Sequence, residues 1–217
     1  MPRLSLEKKA LVDQFIRDKA YTEAKKLLQL HRMNLFTMTE LAEQMGVAKG
    51  TLYNYFEDKQ AVIVYVYKRI NEELLQKIQE HVAAHPDDFV GNLRFVYRTY
   101  IEGIQLNQFM DIAAATLQYD LLKKGDAGNI SNKIYESIVQ KNRSFLVGFL
   151  REGQQAGVFK DRPVKSMAAF VSMHFWGVKA YCMVQKNDFC ASSQTRQLIE
   201  DTERLLLEAV CKEPPKL

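Results

Sequence analysis

Hydrophobic residues recur at intervals of three and four along most of this chain, which is the spacing that aligns side chains on one side of an α-helix. Glycines, prolines and polar clusters interrupt the pattern at residues 125–128, Gly157, Pro163 and residues 186–188. No strand-like alternation is sustained. The sequence therefore predicts an all-α protein of about nine or ten helices, the long ones at residues 5–32, 59–84, 88–107, 108–124, 129–156, 164–187 and 192–211. Residues 4–18 form either a separate helix or the start of a longer first one.

Two short helices joined at a glycine are predicted between Thr37 and Lys59. Thr37 can cap the first of them, because Glu40 stands three residues later, as a capping box requires. Gly46 follows the apolar stripe of this helix and suits a tight left-handed turn that a side chain would obstruct. The pattern is that of a helix-turn-helix.

The second short helix has an apolar side and a polar side. The residues that we expect to point inward are Val47, Leu52 and Phe56. Those left outside are Lys49, Gly50, Thr51, Tyr53, Asn54 and Tyr55. A lysine, hydroxyls, an amide and a glycine that permits close approach suit the major groove of DNA.

Eight residues of this region have an expected partner on the duplex. The residues expected at base edges are Thr51, Tyr53 and Asn54, with Gly50 allowing the backbone to approach. Those suited to phosphates are Lys49, Tyr55 and Lys59, together with Thr37, whose hydroxyl and neighbouring N–H groups lie at a helix N-terminus.

Residues 41–59 resemble the tetracycline-repressor (TetR) family of ligand-controlled repressors, whose pattern here runs Ile/Leu-Ala-x-x-x-Gly-Val-Ser-x-Gly-x-Leu-Tyr-x-His/Tyr-Phe-x-x-Lys. The matching residues are Leu41, Ala42, Gly46, Val47, Gly50, Leu52, Tyr53, Tyr55, Phe56 and Lys59. Ala48 departs from the pattern, because the family places a capping serine there. A second departure lies near residues 32–34, where the glycine that closes the family's first helix is replaced; Asn34 can adopt the left-handed conformation instead.

The resemblance implies two domains: a DNA-binding head at residues 1–58 and a domain for effector binding and dimerisation at residues 59–217. It implies a repressor that a small molecule releases from a palindromic operator. An activator or a ligand-independent DNA-binding protein would have the same fold, and a helical interaction module with a vestigial helix-turn-helix is a third reading. The helix expected from Lys59, capped by Asp58 and stopped by Pro86, would transmit ligand binding to the head.

The resemblance further implies a pocket among the middle helices and a homodimer through the last two. Candidate pocket residues, which favour a mostly apolar effector, are Tyr100, Phe109, Asp111, Tyr119, Phe149, His174 and Trp176. Candidate interface residues are Phe170, His174, Val178, Leu198, Leu205 and Leu206. The alternative for these stripes is burial within a monomer.

The composition is that of a helical globular protein, with 47% hydrophobic residues, 10 glycines and 5 prolines. A net charge of +4 permits nucleic-acid binding without demanding it, so the DNA prediction rests on the geometry of the motif. No apolar run reaches the ~18 residues of a membrane span, and the amino terminus has no secretory signal pattern. We expect a soluble, cytoplasmic protein that is not an enzyme, without membrane partner, metal or cofactor.

Histidines and cysteines supply the remaining candidate chemistry. His81 and His85 have a metal-ligand spacing, but they stand at a helix end, where imidazolium complements the helix dipole, and no third ligand is obvious. Cys182 and Cys190 would form a redox pair only if the turn between the last helices brought them together. Buried, inert thiols are the alternative, and Cys211 leaves the cysteine count odd.

Overall fold

Eight α-helices contain most of the residues that the computed structural model describes, which are residues 6–31, 36–102, 130–184 and 193–213. The helices are α1 (Leu6–His31), α2 (Met38–Gln44), α3 (Lys49–Tyr53), α4 (Lys59–Ala84), α5 (Phe89–Glu102), α6 (Ile130–Gln155), α7 (Val164–Val184) and α8 (Ser193–Val210). Within the described residues the only β-type pairing is an isolated bridge between Phe159 and Cys211. The all-α prediction is confirmed.

The number and bounds of the helices differ in part from the prediction. Nine or ten helices were expected, and the described ranges contain eight. The predicted helix at residues 108–124 lies outside them, as does Asn34. Residues 6–18 are not a separate helix, because α1 continues without a break to His31. The predicted bounds of α4 are confirmed at Lys59 and Ala84.

The chain divides into two compact units. The first, which we call the head unit, comprises residues 1–71 and 109–136, and the second comprises residues 72–108 and 137–217. Helix α4 contributes residues to both. The predicted domain boundary between residues 58 and 59 stays a prediction.

The core of the head unit is built from the apolar stripes of α1, α2, α3 and α4. Its largest fully buried side chains are Phe36, Leu41, Met45, Leu52 and Ile63. Helix α2 contacts both α1 and α3. The amino-terminal end of α1 is different, because Leu11, Val12 and Phe15 are exposed there.

In the second unit, α5, α7 and α8 contact one another around Leu93, Tyr97, Leu150, Phe159 and Leu206.

None of the helices in the described ranges is both long and apolar enough to cross a membrane.

A buried carboxylate ties α5 to α8. Glu203 accepts hydrogen bonds from Arg94 Nε at 2.8 Å and from Arg98 Nε at 2.6 Å. Burial opposes ionisation of Glu203, but the bonds from Arg98 and Arg94 outweigh it and hold the pKa of this carboxyl below its ordinary value. A second contact joins the same two helices: the Tyr97 hydroxyl of α5 lies 2.6 Å from Thr202 Oγ1 of α8.

Replacing Glu203 by glutamine should lower the free energy of unfolding at pH 7 by about 2 kcal/mol, because two guanidinium groups lose a charged acceptor. The pKa of folded Glu203 lies below its ordinary value of 4.5. The stabilisation is therefore complete above that pH and disappears as the pH falls through the folded pKa. Denaturant unfolding of wild type and Glu203→Gln between pH 7 and pH 3 should show a difference that shrinks in acid; a difference independent of pH would contradict this account.

Candidate nucleic-acid interface

Helix α2 begins with the predicted capping box. The backbone of Thr37 is extended, its Oγ1 accepts from the Glu40 N–H at 3.1 Å, and the Thr37 N–H donates to Glu40 Oε2 at 3.3 Å. The Thr37 side chain is exposed. Because the hydroxyl only accepts in the cap, its own hydrogen is available for a phosphate oxygen.

The turn after α2 is the predicted glycine turn. Gly46 has a φ of 62°. Its N–H donates to the Glu43 carbonyl at 2.9 Å, and the Val47 N–H donates to the Ala42 carbonyl at 3.0 Å. These two bonds form a Schellman motif, which ends a helix on a left-handed residue and turns the chain sharply. The direction in which α3 leaves the turn is therefore set by the backbone at Gly46.

Helix α3 is short and lacks a side-chain cap. It has five residues, and Ala48 at its N-cap forms no side-chain hydrogen bond, as expected from the departure at this position. A helix this short is not stable by itself. Leu52 within it and Phe56 just beyond it are both buried in the core of the head unit, so tertiary packing holds the helix in place.

The outer side of α3 carries the predicted polar residues. Those with exposed side chains or surfaces are Lys49, Gly50, Tyr53 and Asn54, and those partly buried are Thr51, Tyr55 and, at the start of α4, Lys59. Lys49 Nζ lies 5.9 Å from the centre of the Tyr53 ring. Asp58 Oδ1 accepts from the Ala61 N–H at 2.8 Å, which confirms the predicted cap of α4.

Tyr55 is held by residues of α1 that sequence analysis missed. Its hydroxyl donates to Asp13 Oδ1 at 3.1 Å, and the Arg17 guanidinium carbon lies 5.9 Å from the centre of its ring. Desolvation, followed by the bond to Asp13, raises the pKa of the Tyr55 hydroxyl above its ordinary value. A phosphate contact by Tyr55 stays a prediction.

The candidate pocket residues differ in their burial and in the residues that they contact. Phe149 is buried in the core, whereas Trp176 is exposed. Tyr100 and His174 lie beside one aromatic cluster: the Tyr100 ring is 5.4 Å from the Phe175 ring, and the His174 ring is 5.9 Å from the Tyr97 ring. The remaining candidates, Phe109, Asp111 and Tyr119, lie outside the described residues. An effector site at these residues stays a prediction.

His174 makes the hydrogen bond expected of a packed histidine. Its Nε2 lies 2.9 Å from the Thr202 carbonyl oxygen, so Nε2 carries the proton and donates it. Burial lowers the pKa of the imidazolium, and the bond to Thr202 only partly offsets this. The contact joins α7 to α8.

The candidate interface residues divide between surface and core. Phe170 and Leu205 are exposed, Leu198 and His174 are partly buried, and Val178 and Leu206 belong to the core of the second unit. Three further large apolar residues of α7 are exposed but were not assigned to the interface: Met173, Trp176 and Tyr181. Helical spacing identifies such stripes without fixing how the helix is rotated.

The histidine pair packs against its neighbours. His81 stacks on Phe95 with ring centres 3.6 Å apart, and His85 Nδ1 lies 2.9 Å from the His81 carbonyl oxygen. Within the part of the chain that the structure describes, no group of three His, Cys, Asp or Glu residues is arranged to hold a metal ion.

Among the cysteines, only the Cys211 side chain lies in the described part of the structure. It is buried, and burial raises the pKa of its thiol to about 11, so it remains protonated at neutral pH. The predictions for Cys182 and Cys190 concern side chains outside the described part.

Comparison with known proteins gives both a sequence match and a fold match. Residues 21–66 match the sequence profile of bacterial regulatory proteins, tetR family. The ketosteroid transcriptional regulator KstR2 of Mycobacterium tuberculosis is 16% identical, with a TM-score of 0.63 over 91% of this chain and 95% of that one. The fatty acid degradation regulator FadR from Bacillus halodurans is 17% identical, with a TM-score of 0.65 over 87% and 96%.

A protein from Saccharomonospora viridis, solved in complex with choline, is 14% identical, with a TM-score of 0.70 over 92% of this chain and all of that one, 100%. At such identities the structural likeness shows a shared fold. A comparison with curated proteins finds no match.

A helix-turn-helix head within this all-helical fold defines a DNA-binding regulator. Residues 21–66 carry the sequence pattern of the tetR family of bacterial regulatory proteins. The resemblance predicted from the motif is confirmed.

Two glycines of the head offer a matched test of the candidate interface. Gly46→Ala should destabilise the fold by about 1 kcal/mol, because a side chain disfavours the left-handed φ of 62°. Gly50→Ala should leave the free energy of unfolding unchanged or slightly higher, since a Cβ at Gly50 would meet no atom within 4 Å and alanine favours helix. It should nonetheless weaken DNA binding, because the added methyl group obstructs close approach. Denaturant unfolding and mobility shifts measure the two effects; undiminished DNA binding by Gly50→Ala would contradict the assignment of this surface.

Proposed function

We propose that the protein is a dimeric transcriptional repressor that a small, mostly apolar effector releases from a palindromic operator. The observation that carries the proposal is the two-sided character of α3. One side is anchored by Leu52, which is fully buried, and the other presents Lys49, Gly50 and Tyr53 to solvent.

The outward residues suit a groove in their chemistry as well as their exposure. Asn54 can read adenine with its amide, and hydroxyls such as that of Tyr53 can donate to base acceptors. Lys49 and Lys59 provide positive charge for phosphates on either side of the groove. Thr37 at the start of α2 adds a hydroxyl donor for another phosphate.

The second part of the proposal is a homodimer through α7 and α8. Trp176 is 65% exposed, Met173 is 67% exposed, and Leu205 on α8 is 56% exposed. Large apolar side chains grouped on one helix are typical of a surface that another subunit covers. A two-fold axis between such subunits would present two copies of α3 to major grooves roughly 34 Å apart, so the operator would be a palindrome.

The third part is control by a ligand. The protein from Saccharomonospora viridis with the same fold was solved in complex with choline, which supports a small-molecule site in this fold. An effector weakens operator binding only as far as it binds more tightly to the arrangement of heads that does not fit the grooves. Helix α4 is a candidate for this coupling, because its 26 residues contribute to both units.

The head assignment predicts two separable effects on DNA binding. Tyr53→Phe should lower affinity for operator DNA by about 0.5–1.5 kcal/mol, the contribution of one hydrogen bond, with little change for unrelated DNA. Lys49→Ala and Lys59→Ala should weaken binding to all duplexes and reduce the slope of log affinity against log salt by about 1 each. Mobility shifts on DNA upstream of the protein's own gene, at several salt concentrations, measure both.

Lys165→Ala is the charge-matched control, since Lys165 is an exposed lysine of α7. Undiminished specific binding by Tyr53→Phe and the two head-lysine variants would reject the contact assignment. Wild-type protein without salt-dependent DNA affinity would favour an interaction module instead. Deletion of the gene distinguishes a repressor from an activator. Loss of a repressor raises transcription from the operator, and loss of an activator lowers it.

The dimer assignment predicts that a charge on the exposed side of α7 or α8 separates the subunits. Trp176→Glu and Leu205→Glu should sediment as monomers and lose most operator affinity, because a monomer engages only one half-site. Val139→Glu is the control: Val139 is also an exposed apolar residue of the second unit, 42% accessible, but lies on α6. Monomeric wild type, or dimeric Trp176→Glu and Leu205→Glu variants, would refute this interface.

A further inference from the structure

The amino-terminal part of α1 contacts the end of the helix-turn-helix although it precedes the residues that match the family. The match starts at residue 21, whereas α1 begins at Leu6 and continues through the matched region without a break. From this upstream segment, Asp13 bonds to Tyr55. The Arg17 guanidinium carbon lies 5.3 Å from the centre of the Phe56 ring.

A second contact fixes the same segment to α4. Arg69 Nη1 donates to Asp18 Oδ1, and the Arg69 guanidinium carbon lies 4.5 Å from the centre of the Tyr21 ring. Arg17 also lies 5.8 Å from the centre of the Tyr65 ring of α4. Cations at these distances are attracted to aromatic faces. Asp13 is therefore presented to Tyr55 from a helix that is itself held in place.

The hydrogen bond to Asp13 limits what the Tyr55 hydroxyl can do. A phenol has one hydrogen to donate, and Tyr55 donates it to a carboxylate oxygen at 3.1 Å. A DNA phosphate offers only acceptors, so it cannot bond to this hydroxyl while Asp13 does. A phosphate in that position would also lie beside the Asp13 carboxylate, and like charges repel.

Helix α3 has a particular need for such an anchor. Its first residue follows Ala48, which provides no side-chain cap, and α3 ends at Tyr53. In the sequence Tyr55 stands two residues beyond that end, between Leu52 and Phe56, whose side chains are buried. The bond from Tyr55 to the long helix α1 adds a directional restraint at this end of α3 to the packing of Leu52 and Phe56.

We propose that Asp13 is a positioning residue for DNA recognition, which acts through the Tyr55 hydroxyl to hold α3 in the orientation that fits the groove. This inference rests on the proposed function. It gives the segment of α1 that precedes the family match a role in the recognition of DNA sequence. Tyr55 stays bonded to Asp13 when the protein is on DNA, so its contribution is to orientation rather than to a phosphate contact.

A comparison of charge-matched variants tests the proposal. The probe is a duplex selected by the wild-type protein from random-sequence DNA, and the readout is the ratio of its affinity to that of an unrelated duplex at one salt concentration. Asp13→Ala and Tyr55→Phe should each lower this ratio about three- to tenfold, the range expected for a lost hydrogen bond. Asp13→Asn removes the same charge but keeps an acceptor, so it should stay within about twofold of wild type.

The double variant Asp13→Ala/Tyr55→Phe should be no worse than either single variant, because both remove one interaction. Glu7→Ala, which removes an exposed carboxylate from the same helix, should leave the ratio unchanged. Thermal unfolding of every variant shows that the head is folded.

Three results would overturn the proposal: an unchanged ratio in Asp13→Ala, additive losses in the double variant, or a higher ratio in Asp13→Ala, which would mean that the carboxylate opposes DNA. Wild-type protein that selects no sequence would reject the proposed function and this inference together. Selective wild type with an unaffected Asp13→Ala variant would reject the inference alone.

Discussion

Burial of Leu52 and Phe56 is the interaction on which the rest of the head depends. Helix α3 has five residues and no side-chain cap, so it has too few internal hydrogen bonds to persist alone. Each buried side chain contributes about 1.5–3 kcal/mol. Because these two residues point into the core, the opposite side of the helix, with Lys49, Gly50, Tyr53 and Asn54, is left exposed. The polar surface that we assign to DNA is thus a geometric consequence of the packing, and the left-handed backbone of Gly46 sets the direction in which it faces.

Much of the head could be predicted from the sequence because its determinants are local. The cap at Thr37 needs only Glu40 three residues later, and the turn at Gly46 needs a residue that tolerates a positive φ. The limits of α4 likewise follow from Asp58 at one end and Pro86 at the other. In these cases the groups that interact lie within one helical turn of each other. Their separation in the sequence therefore determines their distance in the structure.

What the sequence did not reveal depends on contacts between distant residues or on helix rotation. Asp13 and Tyr55 are 42 positions apart, and nothing in either residue marks the other as its partner. Along α7, helical spacing predicted an apolar surface but did not show that Val178 would be buried and Trp176 exposed. The pocket was harder still, since its candidates come from several helices whose rotations are independent. The dependence on helix rotation also explains why the family resemblance could be recognised from local spacing, whereas no effector could be predicted.

The central claim is that α3 reads DNA and that a two-fold axis repeats this reading in a neighbouring groove. Selection of duplexes from random-sequence DNA by the wild-type protein, followed by sequencing, tests it most directly. The account predicts enrichment of an inverted repeat whose half-sites are centred one helical turn apart, about 10–10.5 base pairs, or somewhat farther. Enrichment of a single unrepeated motif, or of no sequence at all, would contradict it.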